Sequence, residues 1–129
     1  MSAPQMNLDR LAAGYAQEII RRTSDDKASD IENTITKSLG VLQESGVYAC
    51  FLYLLAKEKK ERRVVVIEEM LGLLDSMGFG WGKPASNGPD AVLKHISDKV
   101  TGDLERLILA KETLEQMLIY ARYGAKARD

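Results

Sequence analysis

The residues of this chain best suited to chemistry by type and spacing are basic. The segment KEKKERR, residues 57–63, gathers Lys57, Lys59, Lys60, Arg62 and Arg63, and carries a formal charge of +3 against −2 on either side of it. Closely spaced lysines and arginines are enough for sequence-independent contact with nucleic-acid phosphates, because affinity there comes from neutralised charge and released counterions. A solvated helix end or connection accounts for the same segment, since cations near a helix C-terminus gain about 0.3 to 1 kcal/mol from the helix dipole. A second basic group, Arg122, Lys126 and Arg128, recurs at about one helical turn, with Tyr120 and Tyr123 interleaved. Aromatics beside cations suit stacking on unpaired bases, and tyrosine at helical spacing equally suits packing.

Catalytic and metal-binding patterns are absent from the sequence. Cys50 is the single cysteine and lies in the apolar run Val47 to Leu55, the setting of a small buried hydrophobe rather than of a nucleophile or disulfide partner. His95 is the single histidine, so no site built from several imidazoles can form. Glu112 and Glu115 make a lone ExxE, whereas a carboxylate metal centre repeats such motifs on facing helices. Glu68 and Glu69 read as solvated helix positions. The glycine-rich stretch GFGWG is followed by Lys83 and Pro84 rather than by a strand-to-helix turn, so it predicts a connection whose Phe79 and Trp81 pack back on the protein. No catalytic residue, cofactor or metal is expected.

The elements that must position the basic residues read as helices throughout. Asn7 is an N-cap candidate for a helix carrying Leu8, Leu11, Ala12, Tyr15 and Ile19, which the polar run Thr23 to Asp26 ends. Ser29 or Asp30 caps a second helix with Ile31, Ile35, Leu39 and Leu42 on one stripe, and Glu32 completes a capping box with Ser29. Gly40 lies inside that stripe and either weakens the helix by about 1 kcal/mol or admits a close neighbour. Val47 to Ala56 is apolar almost all round, the mark of an enclosed helix, with a buried strand as the rival reading. A fourth helix runs from Val64 to Met77, and the loop Gly78 to Asp90 follows it. Pro89 enters the first turn of a short fifth helix with Asn87 or Gly88 near its cap. Thr101 opens the sixth and longest helix, with Asp103 in its first turn, Leu104, Leu107, Ile108, Lys111, Leu114, Glu115, Leu118 and Ala121 in a mixed stripe, and Gly124 marking where it frays.

The expected architecture is therefore all-α: a single domain over residues 1–129, folded as one compact bundle of about six helices. Apolar residues at 45% and charged residues at 29% are the balance of an ordered globular protein. A net charge of −1 excludes a uniformly basic protein that binds nucleic acid tightly on its own. No apolar run approaches the roughly 20 residues of a membrane span, and the start MSAPQMNLDR lacks a secretory layout, so a cytoplasmic location without membrane contact is expected.

Two stretches taken together resemble a known family. TKSLGVLQESGVYACFLYLLAKEKK, Thr36 to Lys60, reads as a helix ending in a QESG turn followed by an apolar helix that closes on lysines. LILAKETLEQMLIYARYGAKARD, Leu107 to Asp129, is a terminal helix that closes on alternating basic residues and alanines. The pair is similar to the small helical subunit of the type III-B CRISPR effector, the RAMP-module or Cmr complex. The resemblance implies a non-catalytic subunit that stacks in copies of itself along the ribonucleoprotein. It implies contact with the backbone RAMP subunits and the large subunit, and a share in lining the channel that holds guide and target RNA for antiviral defence. Lys57, Lys59, Lys60, Arg62, Arg63, Arg122, Lys126 and Arg128 then become the expected RNA-binding residues. The small subunit of the related type III-A complex has a similar size and helical content.

Two further readings compete. A helical protein–protein adaptor without RNA contact would use an exposed apolar stripe on the last helix. A small enzyme would need Cys50, His95 and Glu115 brought together, and nothing in their spacing does so.

Overall fold

Asn7 starts the first helix as its type suggests: its side-chain oxygen accepts the backbone N–H of Arg10 at 3.0 Å, satisfying one of the donors every helix start leaves open. The structure is a computed structural model and describes residues 7–128; most of the amino-terminal stretch read above for a leader lies outside the described residues. Six α-helices follow in order: α1 (Leu8–Arg22), α2 (Ala28–Ser45), α3 (Val47–Lys57), α4 (Lys60–Ser76), α5 (Pro89–His95) and α6 (Leu104–Arg128), with a π-helical turn, Ile96–Val100, between the last two. No strand occurs among the described residues, and the protein is an all-α bundle, as the periodicity predicted.

The last helix is the spine. α6 runs alongside α1 in the same direction, with Tyr120 hydrogen-bonded to Asp9 toward one end and Arg128 to the carbonyl of Thr23 at the other. It runs against α2, where Lys111 reaches the carbonyl of Gln43 and Lys126 reaches Glu32. α4 covers the other side of α1 in the antiparallel sense, Tyr15 donating or accepting at Ser76 Oγ (2.5 Å) while Arg22 meets Glu68 and Glu69. One hydrophobic cluster draws on every helix, with Ile19, Ile35, Leu54, Met70, Val92, Ile96, Leu114 and Leu118 among its buried members.

Two glycines permit close approach. A Cβ on Gly72 would lie 2.8 Å from the ring of Tyr15, and one on Gly124 would lie 3.0 Å from Ile20 Cγ1. Gly124 therefore does not mark fraying; α6 continues through Arg128 because Ile20 packs against the missing side chain. Gly40 meets nothing within 4 Å, so no neighbour accounts for it.

Other boundaries also differ from expectation. α2 begins at Ala28 with Lys27 as N-cap and no side-chain cap hydrogen bond, so the Ser29–Glu32 box does not form; Glu32 pairs with Lys126 instead. α6 is opened by Asp103, whose side chain accepts Arg106 N–H at 3.1 Å, while Thr101 closes the π-helical turn by bonding back to Ser97. Phe79 and Trp81 do fold back, their ring centroids 4.9 Å apart, with Trp81 buried and Arg106 over the Phe79 face. Glu68 and Glu69 are not simply solvated: they hold Arg22 from α1, and Glu68 also accepts from Asn87, tying the long loop to the bundle.

Candidate nucleic-acid interface

The basic segment 57–63 spans the end of one helix, a short connection and the start of the next. Lys57 closes α3, Glu58 and Lys59 are extended, and Lys60 opens α4, which starts four residues earlier than the valine-led pattern predicts. Only Lys57 occupies the position where a helix dipole favours a cation. Lys59 is the N-cap of α4, without a side-chain cap hydrogen bond, and Lys60, Arg62 and Arg63 fill its first turn beside Glu61. Positive charge at a helix N-terminus runs against the dipole, where carboxylates are preferred.

The two arginines of the junction are anchored. Arg63 Nη1 donates to the carbonyl of Leu55 at 2.7 Å and lies 3.4 Å from that of Glu58, so it satisfies the open carboxyl end of α3. Arg62 Nε donates to Thr34 Oγ1 at 3.2 Å, and Thr34 Oγ1 donates to Glu58 Oε1 at 2.7 Å. Tyr53 donates to Glu58 Oε2 at 2.6 Å. Burial would raise the Glu58 carboxyl, but the hydroxyls of Tyr53 and Thr34 and the charges of Lys37 and Arg62 outweigh it and hold it below the usual carboxylate range. Burial, with the neighbouring Glu58 carboxylate, pushes the Tyr53 phenol up to about 12. Lys57, Lys59 and Lys60 are exposed around this network.

The second group divides differently. Arg128 Nη1 donates to Thr23 O at 2.9 Å and Nη2 to Asp26 O at 2.6 Å, fastening the end of α6 to the turn after α1. Lys126 lies 3.7 Å from Glu32. Arg122 is half-buried and its Nε has no hydrogen-bond partner among the described residues. Of the two tyrosines, Tyr120 is engaged with Asp9, whereas Tyr123 is 63% exposed beside Arg122 and Lys126.

Both groups lie toward one end of the bundle, since Lys126 meets Glu32 and Arg62 meets Thr34 on the first half of α2. Residues 32 and 34 are 200° apart on a helix of 3.6 residues per turn, so the groups flank α2 on opposite sides. Lys37, one turn beyond Thr34 and charged toward Glu58, belongs to the junction. The sequence reading passed over it because a lone lysine on an amphipathic helix carries no signal of its own.

The residues considered for catalysis are held in separate environments. Cys50 is fully buried, its Sγ donating to Ser38 O at 3.4 Å, and burial pushes the thiol up to about 12. His95 is buried, its pKa lowered chiefly by burial and then by Lys99, against the raising effects of Asp75 and a backbone hydrogen bond to Gly82. Glu115 is half-buried on α6. No hydrogen bond links the three among the described residues, and no cluster of His, Cys, Asp or Glu there is arranged to hold a metal ion.

At the start of α6, Leu104 is 70% and Ile108 51% exposed, with Leu109 also exposed. The cause is length: α6 has 25 residues against 15 in α1, the two end level, and Leu8 and Asp9 border Leu109, Glu112 and Thr113, so the first turns of α6 overhang. Among the described residues no helix is long and apolar enough to cross a membrane. No protein-family model, curated protein or solved structure matches the chain.

Proposed function

We propose that this chain is a non-catalytic small subunit of a type III-B CRISPR ribonucleoprotein, in which the α3–α4 junction contacts the phosphate backbone of guide or target RNA. The observation that carries the reading is the placement of Lys59 and Lys60 at the start of α4, where they oppose the helix dipole. Neither makes an ion pair within 4.0 Å among the described residues, and both are exposed. A local rule broken without an internal gain is the signature of a site kept for a partner, and a polyanion is the partner that exposed lysines suit. The resemblance of Thr36 to Lys60 and Leu107 to Asp129 to the family's small subunit supplies the identity of that polyanion.

The overhanging Leu104 and Ile108 of α6 support the other half of the reading, contact with backbone subunits, the large subunit or further copies of the chain in the cytoplasm. Exposed apolar residues one turn apart on a helix face, as these two are, mark interfaces. A protein–protein adaptor without RNA would share this feature, and the two readings part on RNA alone.

Native mass spectrometry of the assembly purified from its own cells tests the proposal: a co-purifying guide RNA is expected, and an RNA-free assembly would refute it. Within the intact complex, changing Lys57, Lys59, Lys60, Arg62 and Arg63 together to alanine is expected to weaken target RNA binding. Unchanged affinity would remove the junction from the interface.

A further inference from the structure

The junction already holds an anion of its own. Glu58 presents one carboxylate oxygen to the Thr34 hydroxyl at 2.7 Å and the other to the Tyr53 hydroxyl at 2.6 Å, with the guanidinium of Arg62 bonded to Thr34 and Lys37 charged toward the same carboxylate. Two hydroxyl donors spaced for the two oxygens of a carboxylate are equally spaced for two oxygens of a phosphate, and the nearby cations suit either anion. Glu58 also sits in the extended link between α3 and α4 and is only half-buried, so its side chain can rotate into water by giving up its bonds to Thr34 and Tyr53 while the backbone hydrogen bonds of both helices stay in place.

We propose that Glu58 is a resident competitor: in the free chain its carboxylate fills a phosphate seat made by Thr34, Tyr53 and Arg62, and a phosphodiester of bound single-stranded RNA takes that seat as the carboxylate swings out. The inference rests on the reading of the junction as an RNA contact and adds to it a device that keeps the isolated chain's affinity low. No bond forms or breaks in the exchange; one anion replaces another, and the cations stay neutralised in both states.

Glu58→Gln tests it on the full chain, because the amide keeps the shape of the side chain and removes its charge. Fluorescence anisotropy with a short single-stranded oligoribonucleotide should show affinity raised about three- to tenfold and the salt dependence steepened by about one phosphate contact. Inorganic phosphate should raise the melting temperature of Glu58→Gln more than that of the parent chain. Adding Thr34→Val and Tyr53→Phe to Glu58→Gln should cancel both gains. Affinity in a folded Glu58→Gln equal to or below the parent's would overturn the proposal, and so would stabilisation by phosphate without a gain for RNA, which would make the seat one for free phosphate. The lysine variants test the underlying reading separately, since Lys57, Lys59 and Lys60 lie outside the seat. Should Glu58→Gln not fold, the carbon-13 signal of the Glu58 carboxyl in the parent chain decides: it should shift on adding RNA, and a signal that stays fixed at saturation overturns the exchange.

Discussion

The two basic groups have similar charge and opposite positions relative to the helices that carry them. Lys126 and Arg128 lie in the last turn of α6, where the dipole welcomes cations, with Arg122 further back along the helix, and Arg128 also fastens α6 to the turn after α1 through two backbone carbonyls. Lys59, Lys60 and Arg62 stand at the N-terminal end of α4, and only the arginines there are tied down. The comparison teaches that a count of lysines and arginines does not measure a binding surface. What matters is which cations already have internal work; the junction's arginines have it, and its exposed lysines have no ion pair among the described residues.

The largest expected effect breaks the comparison on the binding side. Changing Lys57, Lys59 and Lys60 to alanine should lower RNA affinity about ten- to a hundredfold at physiological salt and reduce the salt slope by about two. Stability should stay within about 0.5 kcal/mol, because two of the three cations oppose a dipole and one complements it. A thermal melt beside a salt titration separates these outcomes, and a large loss of stability would show that the lysines serve the fold.

Arg128→Ala should do the reverse. Losing two hydrogen bonds to backbone carbonyls should cost about 1 to 2 kcal/mol, a fall of several degrees in melting temperature, with the salt slope of RNA binding changed by less than about one contact. Arg63→Ala should resemble Arg128→Ala rather than the lysine variants, since its guanidinium closes α3. Denaturant melts of the two arginine variants check this; unchanged stability in Arg63→Ala would return that residue to the binding group.

A smaller effect is expected at Arg22. Its ion pairs with Glu68 and Glu69 are partly exposed, so Arg22→Ala should cost about 0.5 to 1 kcal/mol after allowing for solvent screening. Hydrogen exchange should then quicken in the loop 78–88, which is tied to the same carboxylates through Asn87.

The smallest effect is with pH. His95 has a folded pKa below its unfolded value of about 6.5, so the unfolded chain binds the proton more tightly. The stabilising contribution is complete above about pH 6.5 and declines as pH falls through that region. Glu58, also lowered, keeps its contribution until pH falls through the ordinary carboxylate range near 4.3 and below. His95→Gln should flatten the first step and leave the second.

Most of the fold was legible because the helices announce themselves by local chemistry. Asn7 caps as asparagine does, Gly88 and Pro89 open α5, and the apolar run from Val47 is a helix rather than a strand. The failures share a cause, which is that local signals were outweighed by partners distant in sequence. Glu32 gave up a capping box for Lys126, and Gly124 sits inside a helix because Ile20 needs the space. α4 starts at Lys60 because lysine, glutamate and arginine are good helix formers, a propensity that the apolar periodicity from Val64 onward does not register. The basic segment was visible as composition. Its orientation against a dipole, the anchoring of Arg62 and Arg63, and the part played by Lys37 depend on where α2 lies, which no spacing within residues 57–63 encodes.

The parallel pairing of α1 with α6 also sets an order of events during synthesis. The apolar face of α1, with Ala12, Ala16 and Ile19, is covered largely by α6, which is made after the other described helices, while α2 packs on α3 across a single glycine joint. Local contacts close before distant ones, so during synthesis α2 should associate with α3 first, and the face of α1 that α6 covers should stay open after α4 has docked on the other side, until α6 itself emerges. Until that moment this face of α1 is a stretch of uncovered alanine and isoleucine, and a ribosome stalled short of α6 would present it to chaperones.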